Sequence, residues 1–401
     1  MPSLVAWLDA SSEDQRRMRE IVNLFSERES RDELGIGQVR DALSDTLFPG
    51  TSTLLTRARY LVLIPWCFVA AGRGGVSVDA IARRVEENER SLIPALKADG
   101  DEEGLLGRVA GRGLKNLPSS LYWVALRQFG VLSSPSFSPQ DAIELGTPVL
   151  HADDEGDGAP TGAWSPTLPA LPDGFPHVTQ GGFQLSASEA GWLQERIREG
   201  SEGSLLSLLA DTRPDADSIA PWLDSAALGS IGEPRVALDH AELFSFAMNG
   251  AALLYNLLLA ERYEELNFDT ITAPVDRYRD RLNDWHGARD RLSQRLATWD
   301  RQDFWRLVSL RNPHVAAGSR RFVDDWLDFT RSPVDLALDR RSREFIAHRE
   351  ASHKRSQARL KNEKLLASWQ GSSGAGSLVF RWPQIQRILG DLHEGLGRAD
   401  A

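Results

Sequence analysis

A single cysteine, Cys67, stands in 401 residues. One thiol closes no intramolecular disulfide and builds no thiolate zinc cluster, so the chain fits a reducing compartment. Positive charge is also scarce: 46 Lys and Arg face 57 Asp and Glu, for a net charge of −11. A protein of that balance does not coat nucleic acid or anionic membrane indiscriminately. The opening Met1-Pro-Ser-Leu-Val-Ala-Trp7 lacks the basic region of a secretory leader, and charges begin at Asp9. A cytoplasmic location is the expectation.

Long apolar runs are nearly missing. Leu243–Ala260 holds eighteen residues without a charge, the lower limit for a membrane span. Ser245, Asn249, Ala252 and Asn256 nevertheless fall on one side of that helix, and Glu242 and Glu261-Arg262 bracket it. A buried core helix with no membrane partner accounts for the pattern.

Catalytic signatures are missing too. There is no Gly-x-Ser-x-Gly elbow, no His-Glu-x-x-His helix and no dinucleotide glycine fingerprint. His348 and His353 are five apart and so on different helix faces, which argues against a metal pair. Gly371-Ser-Ser-Gly-Ala-Gly376 follows a helix and lacks the Gly-Lys-Ser/Thr ending of a phosphate loop. No catalytic residue, metal ligand or cofactor is therefore assigned, and the reading leans away from an enzyme.

What is present is helical patterning. A 41% hydrophobic content and twelve tryptophans supply large cores. The expected fold is mainly α and two-lobed, with at most a few short strands. Its boundaries fall at 1–132 for an N-terminal helical domain, 133–182 for an irregular Pro/Gly-rich linker, and 183–401 for a C-terminal helical domain. Expected helices include Glu13–Arg28, Ile36–Phe48, Val76–Ala98, one opened by Pro118 and closed by Gly130, and one capped at Ser186. Further on come Val236–Leu266, Tyr278–Leu310, Ser319–Phe329, Asp339–Trp369 and a final helix opened by Pro383.

The densest stretch is Phe48-Pro-Gly-Thr-Ser-Thr-Leu-Leu-Thr-Arg-Ala-Arg-Tyr60. Pro49-Gly50 signals a turn, and Thr51, Ser52 or Thr53 suits the cap of a helix that Pro65 would kink or end near Ile64. Asp41 and Asp45 share one side of the preceding helix, while Arg57 and Arg59 flank the apolar stripe of the next. The expectation is that an arginine of this pair meets a carboxylate of that pair. Asp41, Asp45, Arg57, Arg59 and Tyr60 thus form either a structural network or a polar pocket for a phosphate or nucleotide.

A second charged feature lies near 340–364. Arg340, Arg341, Arg343, Arg349, Lys354, Arg355, Arg359, Lys361 and Lys364 are nine cations against three glutamates. Either acidic neighbours in the chain cover them, or a nucleic acid or acidic partner does.

Several motifs carry a resemblance along nearly the whole chain. They are Ala6-Trp-Leu-Asp9, Arg31-Asp-Glu-Leu-Gly35, Val39-Arg-Asp-Ala42, Leu47-Phe-Pro-Gly-Thr-Ser-Thr53, Thr56-Arg-Ala-Arg-Tyr60, Ile64-Pro-Trp66, Leu117-Pro-Ser-Ser-Leu-Tyr-Trp123 and Phe380-Arg-Trp382. Together they resemble an uncharacterised bacterial domain family, often encoded beside helicases, DNA methyltransferases or nucleases in anti-phage islands. The resemblance implies a context and no active site. The expected function is a non-enzymatic adaptor of a DNA-directed phage-defence system, with other defence proteins and DNA as candidate partners. The alternatives are a protein-interaction scaffold without nucleic-acid binding, and an enzyme using the Asp/Arg cluster near residues 41–59.

Overall fold

The structure, a computed structural model, describes residues 32–74, 77–100, 102–145 and 162–398. The expected helix Glu13–Arg28 and the acidic run at 153–157 lie outside the described residues. The fold is mainly α, and the described residues contain no strand beyond one antiparallel bridge between Leu132 and Trp164. In chain order the helices are α1 Gly37–Leu47, α2 Tyr60–Gly72, α3 Val78–Ala98, α4 Pro118–Gln128, α5 Pro139–Glu144, α6 Ala187–Gly200, α7 Leu205–Asp211 and α8 Ser225–Leu228. They continue as α9 Glu233–Glu265, α10 Pro274–Thr298, α11 Arg301–Arg311, α12 Ala317–Arg331, α13 Arg340–Lys354, α14 Glu363–Ala367 and α15 Trp382–Leu396.

Two compact units divide the chain. One comprises the residues up to Ala42 together with Glu242–Leu378, and the other Leu43–Ala241 with Val379–Ala401. Each is built from separated pieces of sequence, unlike the consecutive boundaries expected. The described residues of 133–182 belong to the second unit. They are packed there: Trp123 Nε1 donates to the Phe137 carbonyl at 2.9 Å, Trp66 Nε1 to the Pro169 carbonyl at 2.8 Å, and α5 closes a capping box through Ser138 and Asp141.

The second unit is organised on α2, buried at every residue from Tyr60 to Phe68, as an all-apolar helix must be. This helix starts later than the Thr51–Thr53 cap predicts, because long-range partners hold the backbone before it. The Tyr122 hydroxyl takes the amides of Thr56 and Arg57 at 2.7 and 3.0 Å, and Asp391 Oδ2 takes that of Ala58 at 2.9 Å. Pro65 sits inside α2 without ending it. Beside α2, the buried Glu89 of α3 caps the start of α4, accepting from Ser119 N at 2.6 Å and Ser119 Oγ at 2.9 Å. Burial pushes its carboxyl up from 4.5 to about 7, against those two hydrogen bonds.

In the first unit the spine is α9 from Glu242 onward. Its apolar window is 78% buried, as expected for a core helix. The Ser245–Asn249–Asn256 stripe holds the glycine-rich segment after α14. Asn256 donates to the Ser373 carbonyl at 2.8 Å and accepts from Ser373 N at 2.7 Å. Asn249 donates to the Ala375 carbonyl at 3.1 Å, and Ser245 Oγ accepts from Leu378 N at 3.1 Å. Partly buried backbone groups of that segment thereby gain partners. Gly250 admits the Trp285 ring, since a Cβ there would lie 2.5 Å from it.

The long helix expected over Tyr278–Leu310 is two helices. Asp300 ends the first and caps α11, accepting from Gln302 N and Asp303 N at 2.9 Å each. The expected helix Asp339–Trp369 is also broken. It stops at Lys354, where Arg355 adopts φ 51°, and resumes only as the short α14. The buried Glu350 carboxylate turns the chain back by accepting from Arg359 N at 2.6 Å and Leu360 N at 3.2 Å.

Candidate functional site

The stretch around Arg57 and Arg59 is a packing hub within the second unit. Arg57 forms an ion pair with Asp391 at 2.9 Å, using Nε and Nη2, and its side chain lies over the Phe183 ring. Arg59 pairs with Glu189 at 2.9 Å and gives Nη1 to the carbonyls of Thr179, Gln180 and Gly182. The expectation of pairs with Asp41 or Asp45 is corrected: Asp41 meets Arg40 at 3.0 Å, and Asp45 meets Arg381 at 2.7 Å. The reason is reach through the fold. Asp391 comes from the last helix and Glu189 from the α6 capping box, both remote in sequence. Tyr60, the remaining member, is buried and accepts from Leu106 N at 3.0 Å. Burial raises the Asp391 carboxyl against the pull of Arg57, so the pair stands on geometry and hydrogen bonds.

Several of the resembling motifs converge on this hub. Tyr122 of the Leu117–Trp123 motif binds both edges of the Thr56-Arg57 backbone, donating to the Arg57 carbonyl at 3.0 Å. Arg381 donates to the Thr51 carbonyl at 2.6 Å, and Trp382 meets Phe48 with ring centroids 5.9 Å apart.

The first unit carries a cleft of about 830 Å³. Asp32, Glu33, Arg349, His353, Lys354, Arg355 and Arg359 are among the residues lining it. Four permanent cations thus face two carboxylates. The nine basic residues expected to act together have divided roles. Arg340 pairs with Glu344 at 2.6 Å, and Arg343 with Glu261. Lys354 and Arg359 both meet Glu33, the former at 3.6 Å. Arg349 is spent on backbone, donating to the Leu34 carbonyl at 2.7 Å and to those of Gly35 and Gly318 at 3.2 Å each. Arg341, Arg355, Lys361 and Lys364 are exposed and enter no ion pair among the described residues. Glu350, which holds the Arg359 amide, accepts from Tyr255 Oη at 2.7 Å, and burial raises both groups. Burial pushes His353 below its usual range.

A family's model matches residues 2–396, described as a family of unknown function (DUF6361). The chain belongs to that family. No curated protein and no solved structure matches it.

In this DUF6361 chain the positions missed by the sequence reading are the acidic ones. Glu33 was legible only as part of a charged connection, and Glu350 as one of three glutamates among cations. Asp391 gave no local signal. Glu189 was visible as a cap, and its second role toward Arg59 was not.

Proposed function

We propose that this chain is a non-enzymatic adaptor of a bacterial DNA-directed phage-defence system, and that it contacts nucleic-acid phosphates beside the cleft of the first unit. The supporting observation is a surplus of unpaired cation along residues 341–364, of which Arg355 lines the cleft. Arg355 lines the cleft and is exposed, Lys361 and Lys364 follow it in the chain, and none of the three enters an ion pair among the described residues. Arg341 on α13 is the fourth unspent cation. The defence context rests on the motif resemblance. Arg340 is paired with Glu344, and Arg343, Arg349, Lys354 and Arg359 hold the fold, so the reading narrows from nine residues to four.

The test is DNA and RNA binding by the full-length protein across a salt series. Wild type should bind with a log–log salt slope of about −0.9 per phosphate contact on duplex DNA, so roughly −3 to −4 if all four cations engage. Arg341→Glu/Arg355→Glu/Lys361→Glu/Lys364→Glu should abolish binding and keep the melting temperature. Salt-independent binding, or unchanged binding by this variant, removes the nucleic-acid role and leaves a protein-interaction scaffold.

A further inference from the structure

Thirteen large apolar side chains are exposed among the described residues, and five of them come from one short stretch between α7 and the start of α9: Ile219, Leu223, Leu228, Ile231 and Val236. Ile219 is 76% exposed and Ile231 85%. Scattered exposed apolar residues need no explanation, whereas their concentration in one short stretch does.

The stretch cannot fold these side chains inward, because its backbone is tied. Asp224, fully buried, accepts from Asp215 N at 2.7 Å, Ser218 Oγ at 3.0 Å and Ala227 N at 2.9 Å. Asp215 returns a bond, accepting from Ser225 N at 2.9 Å. From α15, Trp382 Nε1 donates to the Ser218 carbonyl at 2.9 Å, and Gln386 Nε2 to the same carbonyl at 2.8 Å and to that of Asp215 at 2.9 Å. Arg235 holds the Leu228 carbonyl at 2.9 Å. The apolar tips are therefore displayed on a fixed frame, and the Phe380-Arg-Trp382 motif is part of its support.

The unpaired charge along the same stretch is acidic. Asp211, Asp215, Asp217 and Glu233 are exposed. The one exposed cation of this stretch, Arg213, faces Glu394 at 3.5 Å, and Arg235 is paired with Asp239 at 3.2 Å. The hydrogen bond from Ser225 N keeps the Asp215 carboxyl below its usual range, so it stays ionised.

We propose that this rim docks a segment of another protein whose apolar side chains are flanked by Lys or Arg. The apolar tips supply the contact area and the surrounding carboxylates select a basic partner. This surface lies within the second unit and is independent of the cleft reading.

The test uses the full-length protein and two fluorescein-labelled amphipathic peptides, one of Leu and Lys and one of Leu and Glu, followed by anisotropy. The Leu–Lys peptide should bind and the Leu–Glu peptide should not. Ile219→Ser/Ile231→Ser and Asp211→Lys/Asp217→Lys/Glu233→Lys should each weaken binding about tenfold or more, while Asp276→Lys/Asp280→Lys/Asp290→Lys should change it less than about twofold. All these positions are exposed, and matching melting curves check that folding is kept. No measurable binding of either peptide, equal affinity for both, or equal losses in the rim and control reversals overturns the proposal. Concentration-dependent dimerisation by light scattering that Ile219→Ser/Ile231→Ser abolishes also overturns it, because the occupant is then a second copy.

Discussion

Arg59 and Glu189 meet at 2.9 Å with both side chains buried, and the same guanidinium closes three backbone carbonyls from 179 to 182. One side chain thus joins the start of α2, the cap of α6 and an irregular segment. Arg59→Ala leaves Glu189 buried without its partner and should cost roughly 3–5 kcal/mol of unfolding free energy. Arg59→Lys should not restore it, since one ammonium lacks the planar fork that serves a carboxylate and several carbonyls at once. Chemical denaturation of both variants checks this, and wild-type stability in Arg59→Lys would count against it.

Glu89 gives a pH dependence with a definite sign. Its carboxyl titrates near 7 in the folded protein, against an ordinary 4.5. The folded state therefore holds a proton that the unfolded state has lost between those values, and stability falls as pH rises across that window. Below about 4.5 the effect vanishes, and above about 7 it is complete, with an upper bound of about 3 kcal/mol. Glu89→Gln can still accept from Ser119 N. Its melting temperature relative to wild type should rise from pH 5 to pH 8, and a flat difference refutes the assignment.

Gly250 reverses the usual helix rule. Replacing an interior glycine by alanine normally stabilises a helix by about 1 kcal/mol. Here the added methyl would enter the Trp285 ring space at 2.5 Å, so Gly250→Ala should destabilise by about 1–3 kcal/mol. Thermal unfolding reads the sign directly.

Asn256 tests the polar stripe of α9. Asn256→Leu keeps the branched shape in a bulkier side chain but leaves the half-buried Ser373 amide and carbonyl without this partner, at up to about 1–3 kcal/mol each. Asn249→Leu removes a single bond and should cost less. Equal effects from the two substitutions would contradict the bond pattern.

Helix existence was legible because periodicity and caps are local. Ser186 with Glu189, Pro118 and the Ser245–Asn249–Asn256 stripe all act as their spacing indicates. What the sequence concealed was decided by remote partners. Tyr122 and Asp391 delay the start of α2, Glu350 breaks the basic helix, and Asp300 splits the Tyr278–Leu310 array. The candidate site shows the same division: the basic run was visible as composition. Which of its cations remain unspent depended on Glu33, Glu261 and the carbonyls near Gly35.

The Arg57–Asp391 pair closes over a sequence separation of 334 residues. During synthesis, then, the α2 region leaves the ribosome long before its carboxylate partner exists. Until α15 has emerged, a cation destined for a largely buried position must stay hydrated, and the hub cannot reach its final form. Completion of the second unit is thereby a late event of translation, the order expected where long-range closure sets the pace.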